Sequence, residues 1–236
     1  MDFDDIFVRC AGSATARQLG LSDVLGDRSW AVDIGAGTAM FDDLKYRIQL
    51  LGTEAERDHS WLWAWANEAS GLPSFVLTGS QKLRAFGAAR GLDILAQRAV
   101  SLGKLSGHQV AMVCSTLLGN VPYYRGPYDG GALYFTLEGV ELPPVDGPRI
   151  VTVLSQVITT FDVDHRLAAQ SFLSDLGYAI TASPRRLDAV APSGLTVRVD
   201  FEAHGRLSNL HVSHGGSVNQ LRPDTRGPSD TTGTSA

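Results

Sequence analysis

Apolar and polar positions change period several times along the chain, and each change predicts an element. From Asp4 to Leu19, apolar Ile6, Phe7, Cys10 and Ala14 recur at helical spacing behind acidic residues, and Gly20 stands where such a helix would stop. After Ser29 the period becomes that of strands. Trp30 to Ile34 and Thr38 to Phe41 flank Gly35-Ala36-Gly37, which predicts two short strands around a tight turn. Lys45 to Leu51 and Ser60 to Asn67 repeat the pattern across the charged stretch Glu54 to His59, giving an antiparallel meander. Beyond Gly71-Leu72-Pro73, the segments Ser80 to Ala89 and Gly107 to Leu118 read as helices. Val121 to Arg125 and Ala132 to Leu137 then flank Pro127-Tyr128-Asp129-Gly130-Gly131, a turn composition that predicts a hairpin.

Glu141 to Arg149 holds three prolines and one glycine, the composition of a connector. Past it come a β-branched apolar run from Ile150 to Thr160, a helix from Asp164 to about Leu176, and strands near Leu187–Val190, Leu195–Glu202 and Arg206–Val212. From Ser217 to Ala236 the chain is almost wholly polar, too poor in apolar groups to offset its ordering entropy. The reading is therefore α+β: an antiparallel β-meander sheet packed against helices, with a small C-terminal βαβββ unit. Four segments follow from it: a domain over 1–140, a linker over 141–149, the small unit over 150–214, and a disordered tail over 215–236.

Composition narrows the function. A chain of 236 residues with 44% hydrophobic content can fill a core. The formal net charge is -5 and no stretch concentrates Lys and Arg, which argues against a nucleic-acid partner. No apolar run approaches the roughly 20 residues that cross a bilayer, and the N-terminal Met1-Asp2-Phe3-Asp4-Asp5 is acidic where a targeting peptide would be basic. No membrane association is expected, and the cytosol is the expected compartment. Cys10 and Cys114 sit in helix-like contexts and read as small core residues.

One motif suggests an enzyme. Val32-Asp33-Ile34-Gly35-Ala36-Gly37-Thr38 resembles the first motif of class I methyltransferases, in which Asp33, Gly35 and Gly37 would approach S-adenosylmethionine and Glu54, after the next strand, would hold its ribose. Against this alternative, Ala39 replaces the third glycine, and only Thr38 to Lys45 is available for a crossover that needs a dozen or more residues. The rest of the chain also lacks the alternation of strands and helices that a doubly wound sheet demands. The reading predicts parallel strands there, whereas the meander predicts a hairpin. No cofactor is otherwise called for.

A second resemblance covers more of the chain. Gln49-Leu50-Leu51-Gly52-Thr53-Glu54, followed by Asp58-His59-Ser60-Trp61-Leu62-Trp63-Ala64-Trp65-Ala66-Asn67, is similar to the hallmark of a bacterial domain family of unknown function. Trp30 to Phe41, Leu83 to Gly87 and Tyr123 to Pro127 extend the likeness over roughly residues 1–140. It implies an α+β meander and brings no activity, substrate or catalytic residue.

Strand alternation would put Trp61, Trp63, Trp65 and Asn67 on one face, either as core under the helices or as a recognition platform that Tyr123, Tyr124 and Arg125 could extend. His204, His211 and His214 with Asp200 carry metal-ligand chemistry, but their spacing in an extended chain makes the rings diverge, and no metal site is assigned. The sequence thus favours a non-catalytic cytosolic binding protein with a protein partner or a small ligand. Methyl transfer is one alternative; a small-molecule carrier with a cavity beside Trp63 is the other.

Overall fold

The computed structural model describes residues 2–214 and 217–221. Helix α1 spans Phe3–Leu25 and is opened by a reciprocal cap, in which Asp2 accepts the Asp5 N–H at 2.8 Å and Asp5 accepts the Asp2 N–H at 3.3 Å. It does not stop at Gly20. Leu21, Val24 and Leu25 continue the apolar spacing, and the chain leaves the helix at Gly26, whose φ is +54°.

The hairpin of β1 (Trp30–Asp33) and β2 (Thr38–Phe41) feeds β3 (Leu44–Ala55), and β4 (Ser60–Trp63) follows. All pair antiparallel. Three 3-10 turns (Ala64–Ala66, Glu68–Ser70, Ser74–Val76) lead to α2 (Thr78–Arg90), α3 (Asp93–Ala96), β5 (Ala99–Ser101) and α4 (Gly107–Leu117). The hairpin of β6 (Tyr123–Tyr128) and β7 (Gly131–Glu138) completes a seven-stranded sheet. The long strand β3 organises it. On one edge β7 pairs from Arg47 to Ala55; on the other β2 takes residues up to Arg47 and β4 begins at Gly52. Residues 49–51 therefore carry no strand on that second edge among the described residues, and the sheet divides there.

Both faces are covered. Leu51, Trp61, Trp63 and Tyr134 lie under the helices, whereas Ile48, Leu50, Phe135 and Leu137 form a second core with Ala39, Phe41 and the end of α1. At about 25 cal/mol per Å² of apolar surface removed from water, such two-sided burial is the main stabilising term.

The C-terminal unit departs from the βαβββ expectation. The β-branched run from Ile150 is not a strand but part of α5 (Gly147–Thr160). Asp146 caps it by accepting the Arg149 N–H at 2.8 Å, Pro148 fits its first turn, and Ile150, Val153, Leu154 and Val157 are buried at helical spacing. Placement of apolar groups on one side outweighs the mild strand preference of β-branched residues. Helix α6 (His165–Asp175) is capped by Asp164, and β8 (Ala179–Ser183), β9 (Arg186–Val190), β10 (Leu195–Phe201), β11 (Leu207–His214) and β12 (Ser217–Leu221) form an antiparallel sheet in sequence order. Ser217–Leu221 is thus a strand, although its composition had placed it in a disordered tail; residues 222–236 lie outside the described residues.

Helix α1 joins the two parts, since α4, α5 and α6 all pack on it. Gly12 makes the α6 contact: an added Cβ would lie 2.5 Å from Phe172 Cβ and 2.7 Å from its Cγ. Alanine there gains about 1 kcal/mol of helix propensity, but overpacking a close helix contact costs about 1–3 kcal/mol or more. Gly12→Ala is expected to lower stability, read from the denaturant midpoint. Gly20→Ala in the same helix, with its nearest new neighbour at 3.4 Å, should be neutral or stabilising.

Candidate functional site

The tryptophan segment is not one strand. β4 ends at Trp63, and Ala64–Ala66 turns as a 3-10 helix, so strand alternation stops there, although Trp65 still packs against the same helix-side core as Trp61 and Trp63. Trp61 and Trp63 are fully buried and meet edge to face at 5.5 Å; Trp63 Nε1 donates to the Ile94 carbonyl at 2.9 Å. Trp65 is half-buried with the Arg84 guanidinium 4.2 Å from its ring centre. Asn67 borders the opposite side of the sheet. A row of four residues on one platform is excluded by this geometry, and so is a ligand cavity lined by Trp63, because its ring is packed on all sides.

Glu54, from the methyl-transfer reading, comes together instead with Tyr123 and Arg125, from the platform reading. Glu54 on β3 is buried, with Oε2 accepting the Tyr134 hydroxyl at 2.7 Å and Oε1 accepting the Gly107 N–H at 3.1 Å. Gly107 opens α4 inside a reciprocal cap between Ser106 and Gln109, and the positive end of the helix favours the carboxylate. Tyr123 is buried beside it, its hydroxyl 3.0 Å from His108 Nδ1. Arg125 donates to Glu56 at 3.1 Å. Burial, then the Arg125 charge, hold His108 below its ordinary pKa against the opposing pull of Glu54. Burial raises both tyrosines, and for Tyr134 the Glu54 hydrogen bond adds to it, so both stay hydroxyl donors. Tyr124 is separate, packed on Trp30, Phe41 and Phe135 in the second core.

His108 escaped the sequence reading, because a lone histidine near a helix start gains meaning only from Tyr123 and Tyr134 on a distant hairpin. The Ser106-x-x-Gln109 cap is the one local signal that marks this helix start.

Where the sheet divides, a half-open cavity of about 550 Å³ forms against Leu50, Leu62, Leu72, Pro73 and Leu133, with Asn67 among its polar groups. It lies on the side of β4 opposite Trp61 and Trp63. The volume is that of an ordinary small-molecule pocket, and the lining is mainly apolar as such pockets are. Tyr128 also lines it and is 50% exposed; Phe75 is 52% exposed, and its ring lies over Gly37.

Gly35 borders the same cavity, but the loop around it is no cofactor loop. Asp33 pairs with Thr38 in an antiparallel hairpin, Asp33 Oδ1 accepts the Ala36 N–H at 2.9 Å, and Gly37 takes a φ of +66° to close the turn. The parallel pairing and crossover helix that methyl transfer requires are absent here, and Glu54 is committed to capping α4. In the C-terminal sheet, His211 Nε2 lies 2.6 Å from the Asn209 amide and Asp200 pairs with Arg186 at 2.7 Å. The His214 side chain is outside the described residues. Among the described residues no group of three His, Cys, Asp or Glu side chains is placed to hold a metal ion, and no helix is long and apolar enough to cross a membrane.

Residues 4–140, which hold α1, the seven-stranded sheet and α2 to α4, match the model of a family of unknown function (DUF6882). The chain belongs to that family. Comparison with curated proteins and with solved structures finds no match. The DUF6882 segment contains the divided sheet, the apolar cavity and the Glu54 cluster, whereas α5, α6 and the second sheet lie beyond it.

Proposed function

We propose that this DUF6882 protein is a non-catalytic binding protein of the cytosol, whose divided sheet receives apolar side chains of a protein partner. One observation carries the reading. Of the three large hydrophobic residues most exposed among the described residues, Tyr128 lines the cavity and Phe75 stands over the Gly37 turn at its side. Exposed aromatics beside an apolar recess are the usual anchors of protein contacts, since they offer area at low entropic cost. The recess has no charged group in its lining, so it selects for shape and apolar surface.

The test is native mass spectrometry on protein purified gently from its host, comparing the natural chain with the Phe75→Ala, Tyr128→Ala double variant. A stoichiometric second chain on the natural protein that is lost from the variant, at equal melting temperature, supports the proposal. A partner retained by the variant overturns it. A bound mass of a few hundred daltons in place of a chain would make this cavity a small-ligand site.

A further inference from the structure

Strand β8 (Ala179–Ser183) is an edge of the C-terminal sheet, paired with β9 alone. The direction of its backbone groups follows from the ladder. Flanking β9, the Ala191 N–H donates to the Leu195 carbonyl at 2.8 Å and the Arg185 carbonyl accepts the Phe201 N–H at 2.9 Å, so odd-numbered residues turn their backbone groups to β10. Arg186, Asp188 and Val190 therefore turn theirs to β8, where they meet Ser183, Thr181 and Ala179. The N–H and C=O of Ile180 and Ala182 point off the sheet, and no hydrogen bond engages them among the described residues. Arg166 closes the end of this edge by donating to the Ser183 and Pro184 carbonyls at 2.7 and 3.2 Å.

A free edge is a template for another strand, and proteins guard most edges with charges, proline or a bulge. β6, an edge of the first sheet, carries Arg125 and Pro127. β8 reads Ala-Ile-Thr-Ala-Ser, with neither charge nor proline, and its register with β9 is unbroken. All of its residues but Ile180 are exposed, and Val190, 46% exposed, stands beside Ala179 on β9.

The register and the charges at its ends say what this edge takes up. A two-fold axis through Thr181 sets Ile180 against Ala182 of a second copy, and Ala182 against its Ile180, each pair exchanging two backbone bonds with no like charges opposed. The same register carries Arg185 of each copy to Gly177 of the other, at the C-terminal end of α6. That helix has no basic residue in its last turn to meet its negative end, and Asp175 is exposed there. Arg185 is exposed and has no ion-pair partner among the described residues, so each copy supplies a cation that the other lacks. We propose that β8 is a homodimer interface, at which two copies pair antiparallel across a two-fold axis at Thr181 and join their five-stranded sheets into one. The edge lies beyond the DUF6882 segment and on the other sheet from the recess, so it stands independently of the partner proposed there.

The test is sedimentation velocity on the full chain at concentrations up to about 1 mM, which catches even weak association, with amide NMR to locate the contact. Five residues of edge are a small contact beside the roughly 1,200–2,000 Å² of stable interfaces, so the natural chain should dimerise reversibly as concentration rises, with the Ile180 and Ala182 amides shifted and slowed in exchange. Ala182→Pro removes an outward N–H while the β8–β9 ladder keeps its bonds, and should abolish the dimer at little change in melting temperature. Thr181→Lys and Thr181→Glu change an exposed side chain, so each should fold normally. Either alone should weaken the dimer severalfold, because like charges meet at the axis, and an equimolar mixture of the two should restore it. A chain that stays monomeric throughout overturns the proposal. So does a dimer that survives Ala182→Pro, a mixture no tighter than either variant alone, or a dimer whose amide shifts fall at the Tyr128 recess in place of β8.

Discussion

Replacing Trp63 by alanine is expected to lower the unfolding free energy by about 3–5 kcal/mol, the range for deleting a large aromatic from a core that cannot collapse around the void. The indole is fully buried, stacks edge to face on Trp61 and gives its only N–H to the Ile94 carbonyl. The partner measurement on the divided-sheet recess should be unchanged in whatever fraction remains folded, because that recess lies across the sheet from Trp63. Phenylalanine at the two positions separates packing from hydrogen bonding. Trp63→Phe leaves the Ile94 carbonyl without its partner in the core, adding about 1 kcal/mol or more to the packing loss. Trp61→Phe removes an N–H that has no partner, so only packing is lost. Trp61→Phe should therefore be the milder of the two, measured by urea midpoints at unchanged slope. A Trp63→Ala protein as stable as the natural one would mean that the ring is not core.

The parts of this architecture legible in the sequence are those whose signal is local. The β1–β2 hairpin announces itself through period-two alternation around Gly35 and Gly37, and the β6–β7 hairpin through Asp129-Gly130 between apolar runs. The Asp164 cap stands at the predicted start of α6. The sequence misleads where two local signals compete. In α5, β-branched composition suggested a strand while the spacing of Ile150, Val153, Leu154 and Val157 fitted a helix, and burial against the second sheet decided for the helix. In the tryptophan segment, alternation continued on paper past Trp63, but the chain turns there because Ala64 and Ala66 pack into different cores.

The candidate sites were less legible still. In the sequence Glu54 reads as a ribose-holding acid and Tyr123 as a platform residue, but Tyr134, which binds Glu54 across 80 positions of sequence, carries no signal of its own. The divided sheet is likewise invisible in any one segment. It exists because β2 and β4 each claim a different stretch of the same edge of β3.

Glu54→Ala is expected to cost about 2–4 kcal/mol, because two buried donors, the Tyr134 hydroxyl and the Gly107 N–H, lose their acceptor together and each unpaired donor costs about 1–3 kcal/mol. Water entering the space left by the side chain recovers part of that sum. Tyr134→Phe removes only one bond and leaves the carboxylate capped by the helix, so its cost should be smaller, about 1 kcal/mol. Gly107→Ala reaches the same site from the other side. Its Cβ would lie 2.6 Å from Glu54 Oε2 and 2.7 Å from the Tyr134 hydroxyl, so the substitution must push the carboxylate off the helix even though alanine is the better helix former. The two effects share one cause and cannot add. With Glu54 already truncated, part of the clash is gone, and the double variant should lose less than the sum of the singles by about 1 kcal/mol or more. Additive losses in that cycle, or a Glu54→Ala protein within about 0.5 kcal/mol of the natural one, would show that the carboxylate does not hold α4 to the sheet.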